Sequence, residues 1–457
     1  MEKRPETGNS LEEKYNDYEK TPVPAEARKT WLEQGMVWLG EGFGLSGLAV
    51  GGVLADGLPF REMCIVCVAG AFIVFLLATT CALVSAHTHL ATSFNCRRAF
   101  GVGGAKLIGV IFCFCNFGWY AFQADLFGNT ISSVVEQLGG PEIAPVLFTV
   151  LGGLAMSTTA IFGFKAIKRL SEIGLPLLFI LCIAAVLKTG RLIPFEEIVS
   201  AGPVGNRISI SAGISIVVGS FAVGIAMMGD FSRFCKSGKD CAIGISLGYF
   251  WGYIPVMMCG AFFTYAFRNW NVVEVMIVSL GMGVFGAVVL VLGQWTTNDN
   301  NLYGSVLGLM NTLDGVSRIP RMRLTLILGA VSTAIAALGV YRYFVDFLSV
   351  LGVFITPITG ILIADFYICN RKSYDEEIGS VKYAVKWDAL AAWAAASAVG
   401  LAMTERPVGL GLYSGLGDVA PVPVVCIAVA MLIYTAAQSY GSKLKRGAAE
   451  CKKEGEE

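Results

Sequence analysis

Stretches of sustained apolarity, each near the length a helix needs to cross a bilayer, dominate this chain of 457 residues. They fall at about 35–56, 62–85, 103–137, 143–163, 170–188, 208–231, 241–266, 275–310, 323–341, 343–368, 386–403 and 420–440. A transmembrane helix needs ~20 such residues to pass a ~30 Å hydrocarbon core, whereas a membrane barrel reads as alternating segments of about ten. Long blocks therefore exclude a barrel. Only 15% of residues are charged and 55% are hydrophobic, against roughly a quarter charged in soluble domains, which excludes a soluble enzyme. The expected fold class is an all-α polytopic membrane protein of twelve transmembrane helices.

Lysine plus arginine and aspartate plus glutamate each number 34. With no basic excess to hold a phosphate backbone, nucleic acid is not an expected partner. Positive charge in short loops marks the cytoplasmic side. Even-numbered loops carry Arg97, Arg98, Lys165, Lys168, Arg169, Arg233, Lys236, Lys239, Arg318, Arg321, Arg323, Arg371, Lys372, Lys382 and Lys386; odd-numbered loops carry fewer, such as Arg61, Arg207 and Arg268. Both termini are thus expected in the cytoplasm, consistent with an even number of spans and a basic tail at Lys443, Lys445 and Arg446. Residues 1–30 are polar, without an apolar signal-peptide region, and read as a cytosolic tail. The expected location is the plasma (inner) membrane.

Two spans look interrupted, five apart in order. Span 1 holds Gly40, Gly42, Gly44 and Gly47 around Glu41; span 6 holds Gly219-Ser220-Phe221-Ala222-Val223-Gly224. Glycine weakens a helix by about 1 kcal/mol per residue in water, so four in eight positions mark a place to unwind. Irregular backbone at membrane depth is tolerated where it is buried in protein or lines a cavity, as in transporters built from inverted repeats. The same glycines would also serve close helix packing.

Several motifs carry no chemistry in this setting. Gly42-x-Gly44-x-x-Gly47 lacks the strand that a dinucleotide fingerprint requires. Cys64-x-x-Cys67 lies within an apolar run, and the cysteines in such runs read as small buried hydrophobes. His87-x-His89 sits at a span end and reads as interfacial.

The polar groups inside the spans are informative. Span 8 contains Gly293-Gln294-Trp295-Thr296-Thr297-Asn298-Asp299-Asn300-Asn301, which must face the protein interior, a wet cavity or an ion. The hydroxyls of Thr296 and Thr297 suit Na+ and equally suit back-bonding within the helix. In span 3, Asn116, Trp119, Tyr120 and Gln123 share one arc of the helix. Amides interleaved with aromatics suit a flat heteroaromatic ring, whose faces stack while its edge is read by hydrogen bonds. Phe221 beside Ser220 offers a second face and a hydroxyl. Asp230 and Asp365 are expected to pair with Arg233 and Arg371, and Asp125 points away from Asn116. Glu41, in the break of span 1, is expected to be functional, because a buried carboxylate there needs a partner.

Trp295-Thr296-Thr297-Asn298-Asp299-Asn300-x-Leu302-Tyr303, Gly118-Trp119, Gly219-Ser220-Phe221 and Asp230-Phe231-x-Arg233-Phe234 together resemble the cytosine permeases of the nucleobase:cation symporter family. Pro22-Val23-Pro24 and Ile363-Ala364-Asp365 extend the likeness over nearly the whole chain. The resemblance implies a leucine-transporter-type fold, with residues 31–190 and 205–370 as two inverted five-helix repeats. Helices 1 and 6 would be broken, residues 385–440 would add two helices, and 441–457 would form a second cytosolic tail. It implies a substrate ring between Trp119 and Phe221, its edge bonded by Asn116, Ser220 and Asn298, with the backbone of Gly44 and Leu45 nearby. It implies sodium held by carbonyls of Gly40, Phe43 and Gly293 and hydroxyls of Thr296 and Thr297. Two residues depart from that family's pattern: Asn116 replaces a glutamine, and Glu41 replaces an apolar residue.

The expected function is import of a small planar nitrogen heterocycle, cytosine or a related nucleobase, by cation symport. No organic cofactor is implied; Na+ is the expected coupling ion, with H+ the other. The alternative is an amine or amino-acid symporter of the same fold, with Glu41 pairing a cationic substrate. A membrane enzyme would need a nucleophile and base or a metal cluster, neither of which the sequence offers.

Overall fold

The computed structural model describes Tyr18 and residues 21–161, 164–313, 319–376 and 384–454. Within them the chain is helical, apart from one isolated bridge between Lys29 and Cys235. Six helices are long and apolar enough to cross a bilayer, and one bent pair adds a seventh. Three further apolar helices are shorter.

The bent pair is span 1. Helix α1 (Trp31–Gly42) and α2 (Leu45–Gly57) meet at 48° across Phe43 and Gly44, where the backbone leaves the helical region. At its start, Glu33 accepts from both the amide and the hydroxyl of Thr30, at 2.9 Å each. Then follow α3 (Phe60–Thr88), α4 (Thr92–Gln137), α5 (Pro145–Ala160) and α6 (Phe164–Leu192). Helix α4 runs through a kink at Gly101, whose positive φ of 77° only glycine adopts readily.

Span 6 is also discontinuous: α7 (Ile210–Ser220) and α8 (Ala222–Ala226) are separated by Phe221. Helix α9 spans Gly238–Phe267. The apolar window at about 275–310 is corrected by the structure. Its first part belongs to a short helical segment ending at Ser279, and α10 begins only at Gly283 and runs to Leu313. Gly281 and Gly283, both at positive φ, make the turn between them. The remaining elements are α11 (Arg321–Ala336), α12 (Val340–Cys369), α13 (Trp387–Met403) and α14 (Val422–Glu454).

Packing follows the small residues. A Cβ on Gly51 of α2 would stand 1.9 Å from Met257 O of α9, and one on Gly260 of α9 would stand 2.0 Å from Leu48 O of α2. The two backbones therefore touch directly, with van der Waals contact replacing the hydrophobic drive that is absent between helices in lipid. Helix α10 lies along α4, and α14 along α12. The main core cluster joins residues from α1 to α14 around the two broken spans.

Buried acids at the helix ends find partners other than the expected arginines. Asp365 accepts from Asn370, Tyr374 and Tyr434, each at 2.6 Å, while Arg371 lies over the Phe366 ring at 3.9 Å. Asp230 accepts from Thr92 N at 2.8 Å, and Arg233 Nε donates to the backbone oxygen of Asp230 rather than its carboxylate. Asp365 also has Lys386 Nζ at 3.9 Å, so its cation comes from a segment other than the expected Arg371, whereas the contact of Asp230 is a backbone amide. Asp125, as expected, is held elsewhere, by Tyr341 N at 2.8 Å and Asn129.

Candidate substrate and ion sites

A cavity of about 380 Å³ opens beside the break in span 1. Its walls come from α1, α2, α4, α7, α8, α9 and α10, and include Glu41, Ser46, Asn116, Trp119, Ser220, Phe221, Tyr249, Tyr253 and Asn301. The cavity extends past Met227 and Asp230 to Lys29, Arg233 and Phe234. A smaller cavity of about 170 Å³ shares Met227, Asp230, Arg233 and Leu307 with it, so the two meet there.

Of the residues proposed from sequence to bind a ring, Trp119, Phe221, Asn116, Ser220 and Glu41 all line this cavity. Trp119 is braced edge-on by Phe344 and Phe347, with ring centroids at 5.9 and 5.4 Å. Phe221 is braced edge-on by Tyr249 and Tyr253 at 5.1 and 4.6 Å. The edge-to-face arrangement sets the positive rim of one ring against the negative face of another, and fixes both residues in orientation.

The polar groups are committed in one sense. Asn116 Nδ2 donates to Phe112 O at 3.0 Å and contacts Met227 Sδ at 3.2 Å, leaving Oδ1 without a bond among the described residues. Ser220 donates its only proton to Val217 O at 2.7 Å, so Tyr253 Oη, 2.6 Å away, must be the donor to Ser220. One lone pair of Ser220 remains. Glu41 Oε1 accepts from Asn300 Nδ2 at 3.0 Å. Asn116, Ser220 and Glu41 thus all present acceptors.

Asn298, Gly44 and Leu45 are not brought onto the cavity wall. Asn298 is fully buried outside the cavity, its amide donating to Tyr120 O at 3.2 Å and contacting Met156 Sδ at 3.3 Å. Asn300 and Asn301 line the wall; Asn300, two residues on, lies about 200° around the helix axis from Asn298. Gly44 and Leu45 are not among the lining residues, whereas the adjacent Ser46 is. The arc read on span 3 likewise splits: Tyr120 turns away to Gly153 O and Ser157. Tyr249 and Tyr253 were missed, although their spacing of four on an apolar span puts both on one helical face.

Three of the residues proposed for the ion, Gly40, Phe43 and Gly293, lie against one stripe of α6. A Cβ on Gly40 would meet Leu175 at 3.9 Å, one on Gly293 would meet Leu178 at 3.7 Å, and the Phe43 ring lies 5.3 Å from that of Phe179. Thr296 and Thr297 each donate to Gly293 O at 3.0 Å. These neutral oxygens are hard donors of the type a monovalent alkali cation takes. Behind them, Asp299 accepts from Thr159, which also takes the Trp295 indole N–H at 2.8 Å.

A family model described as "Permease for cytosine/purines, uracil, thiamine, allantoin" matches residues 22–423. The chain belongs to this family. The cytosine permease of Escherichia coli strain K12 is 30% identical over 391 residues, covering 84% of this chain and 89% of that protein. A hydantoin permease of Microbacterium maritypicum is 23% identical over 70% of each chain. Among solved structures, the inward-facing conformation of Mhp1 superposes with a TM-score of 0.77 at 19% identity, covering 93% of both chains. This permease is therefore a multi-pass membrane protein and a transporter, not an enzyme, in the nucleobase:cation symporter family.

Proposed function

We propose that this permease imports a small planar nitrogen heterocycle, cytosine or a related nucleobase or pyrimidine, by symport with sodium. The observation that carries this reading is that Trp119 and Phe221, each braced by other aromatic rings, line one cavity together with Asn116 and Ser220. Two aromatic faces and a set of edge-reading acceptors suit a flat ring, and relatives of the family are named for cytosine and hydantoin transport. Asn300 and Asn301 take the place first given to Asn298, and Glu41 completes the polar wall.

In this reading the chain has twelve spans. Residues 31–190 and 205–370 form inverted five-helix repeats, residues 385–440 add two helices, and 1–30 and 441–457 are tails. Both termini are cytoplasmic and the membrane is the plasma membrane. The cavity then opens inward, towards Lys29 and Arg233, and transport proceeds by alternating access around the interrupted helices. Sodium sits between Gly40, Phe43, Gly293, Thr296 and Thr297, and favours the form that binds substrate. The amine or amino-acid reading accounts for Glu41 but does not require two braced faces suited to a flat ring.

The test is displacement of labelled cytosine from the purified protein in sodium buffer. Nucleobases compete and aliphatic amines or amino acids do not; the reverse order overturns the reading.

A further inference from the structure

Glu41 stands on the cavity wall with a single partner. Asn300 Nδ2 donates to Oε1 at 3.0 Å; Oε2 takes no hydrogen bond, and no lysine, arginine or histidine lies within ion-pair distance of the carboxylate among the described residues. The two cations that line the same cavity are engaged elsewhere. Arg233 donates to Tyr18 O and Asp230 O, and Lys29 lies over the Phe234 ring at 5.5 Å. A half-buried carboxylate bonded to one neutral amide has no protein counter-charge, which is a costly state within a protein.

The surroundings of Glu41 favour a cationic, donor-rich ligand. Asn116 Oδ1 and the remaining Ser220 lone pair are acceptors, as is Glu41 Oε2. A ring that satisfies all three brings N–H groups on its edge. Trp119, Phe221 and Tyr249 present aromatic surface on the same cavity, and aromatic faces attract positive charge.

We infer that Glu41 is the counter-charge for a substrate bound as a cation, and that this substrate is a planar ring with an amidine-type edge, an exocyclic amino group beside a ring N–H. This rests on the heterocycle reading above and narrows it to aminopyrimidine-like rings. The pair is charge-assisted and two-pronged: one N–H donates to Oε2, and a second reaches Ser220 or Asn116. An oxo ring of the same size, which offers a carbonyl where the amino group would be, sets acceptor against acceptor at Glu41. Asn300, on the same wall, positions the carboxylate through its amide nitrogen.

The experiment measures binding of three rings of one size, 2,4-diaminopyrimidine, cytosine and uracil, to the purified full chain in sodium buffer. For the unaltered protein the affinities fall in that order. In Glu41→Gln, whose amide oxygen still accepts from Asn300 and so preserves the local fold, 2,4-diaminopyrimidine weakens about tenfold or more while uracil changes by less than about twofold. Glu41→Asp retains part of the preference. Uracil binding the unaltered protein as tightly as 2,4-diaminopyrimidine overturns the inference without any variant. A uniform loss across the three rings in Glu41→Gln overturns it too, as does an altered sodium dependence with unaltered ranking. If none of the three rings binds the unaltered protein, with or without sodium, the heterocycle reading falls as well.

Discussion

Tyr253 Oη lies 2.6 Å from Ser220 Oγ and locks the serine hydroxyl at the point where span 6 breaks. Because Ser220 gives its own proton to Val217 O, it faces the cavity as an acceptor, and the bond donated by the tyrosine fixes where its remaining lone pair points. Tyr253→Phe keeps the ring against Phe221 and removes only this bond. A neutral hydrogen bond contributes about 0.5–1.5 kcal/mol, so affinity for cytosine should fall by about 2- to 12-fold with little change in melting temperature. Equilibrium binding on the purified variant checks this, and unchanged affinity removes Ser220 from the binding edge.

Trp119 is the larger aromatic face. Trp119→Ala should weaken binding by about 5- to 150-fold, since stacking with burial is worth ~1–3 kcal/mol, and Trp119→Phe should lose less. Titration of both variants with one labelled ring separates them. Equal affinity in Trp119→Ala and the unaltered protein contradicts a stacked ring.

The fold was legible where apolarity alone decides structure, as in α3 and α14, and where glycine density marks a break, as at Gly44. It was less legible where partners come from distant segments. Nothing local in Ile363-Ala364-Asp365 shows that Tyr434 of α14 will reach Asp365, or that Arg371 will instead cover Phe366. Span 8 shows the same limit within one motif. Its run of amides announces a buried polar site, yet the helical phase that sends Asn298 to Tyr120 O and Asn300 to Glu41 depends on how α10 is rotated against α4. The turn at Gly281 and Gly283 left a signal in the glycine spacing, which the continuous apolarity on either side outweighed.

The contact between α2 and α9 predicts a stability difference between two glycines. Gly51→Ala drives a methyl group against Met257 O and should destabilise by at least the ~1–3 kcal/mol typical of overpacking, lowering the melting temperature in detergent. Gly190→Ala, whose Cβ would meet nothing within 4 Å, should leave it unchanged or raise it slightly. Comparable melting of the two variants contradicts the direct backbone contact.

Thr297 faces the cavity and shares Gly293 O with Thr296, which predicts coupling between ion and ring. Affinity for cytosine should rise with sodium, and affinity for sodium should rise with cytosine by the same factor, because linkage is reciprocal. Thr297→Ala should flatten both dependences while the protein still folds. Calorimetric titration in each order measures the two factors, and affinities that do not depend on the other ligand, or an undiminished dependence in Thr297→Ala, contradict the assignment.

The most direct test is uptake of labelled cytosine into proteoliposomes containing the unaltered protein, at fixed pH, with sodium or choline outside. A sodium-coupled importer of planar heterocycles accumulates cytosine under an inward sodium gradient, loses that accumulation when choline replaces sodium, and loses it again in Trp119→Ala. Equal uptake in the two buffers, or accumulation that survives Trp119→Ala unchanged, contradicts the account.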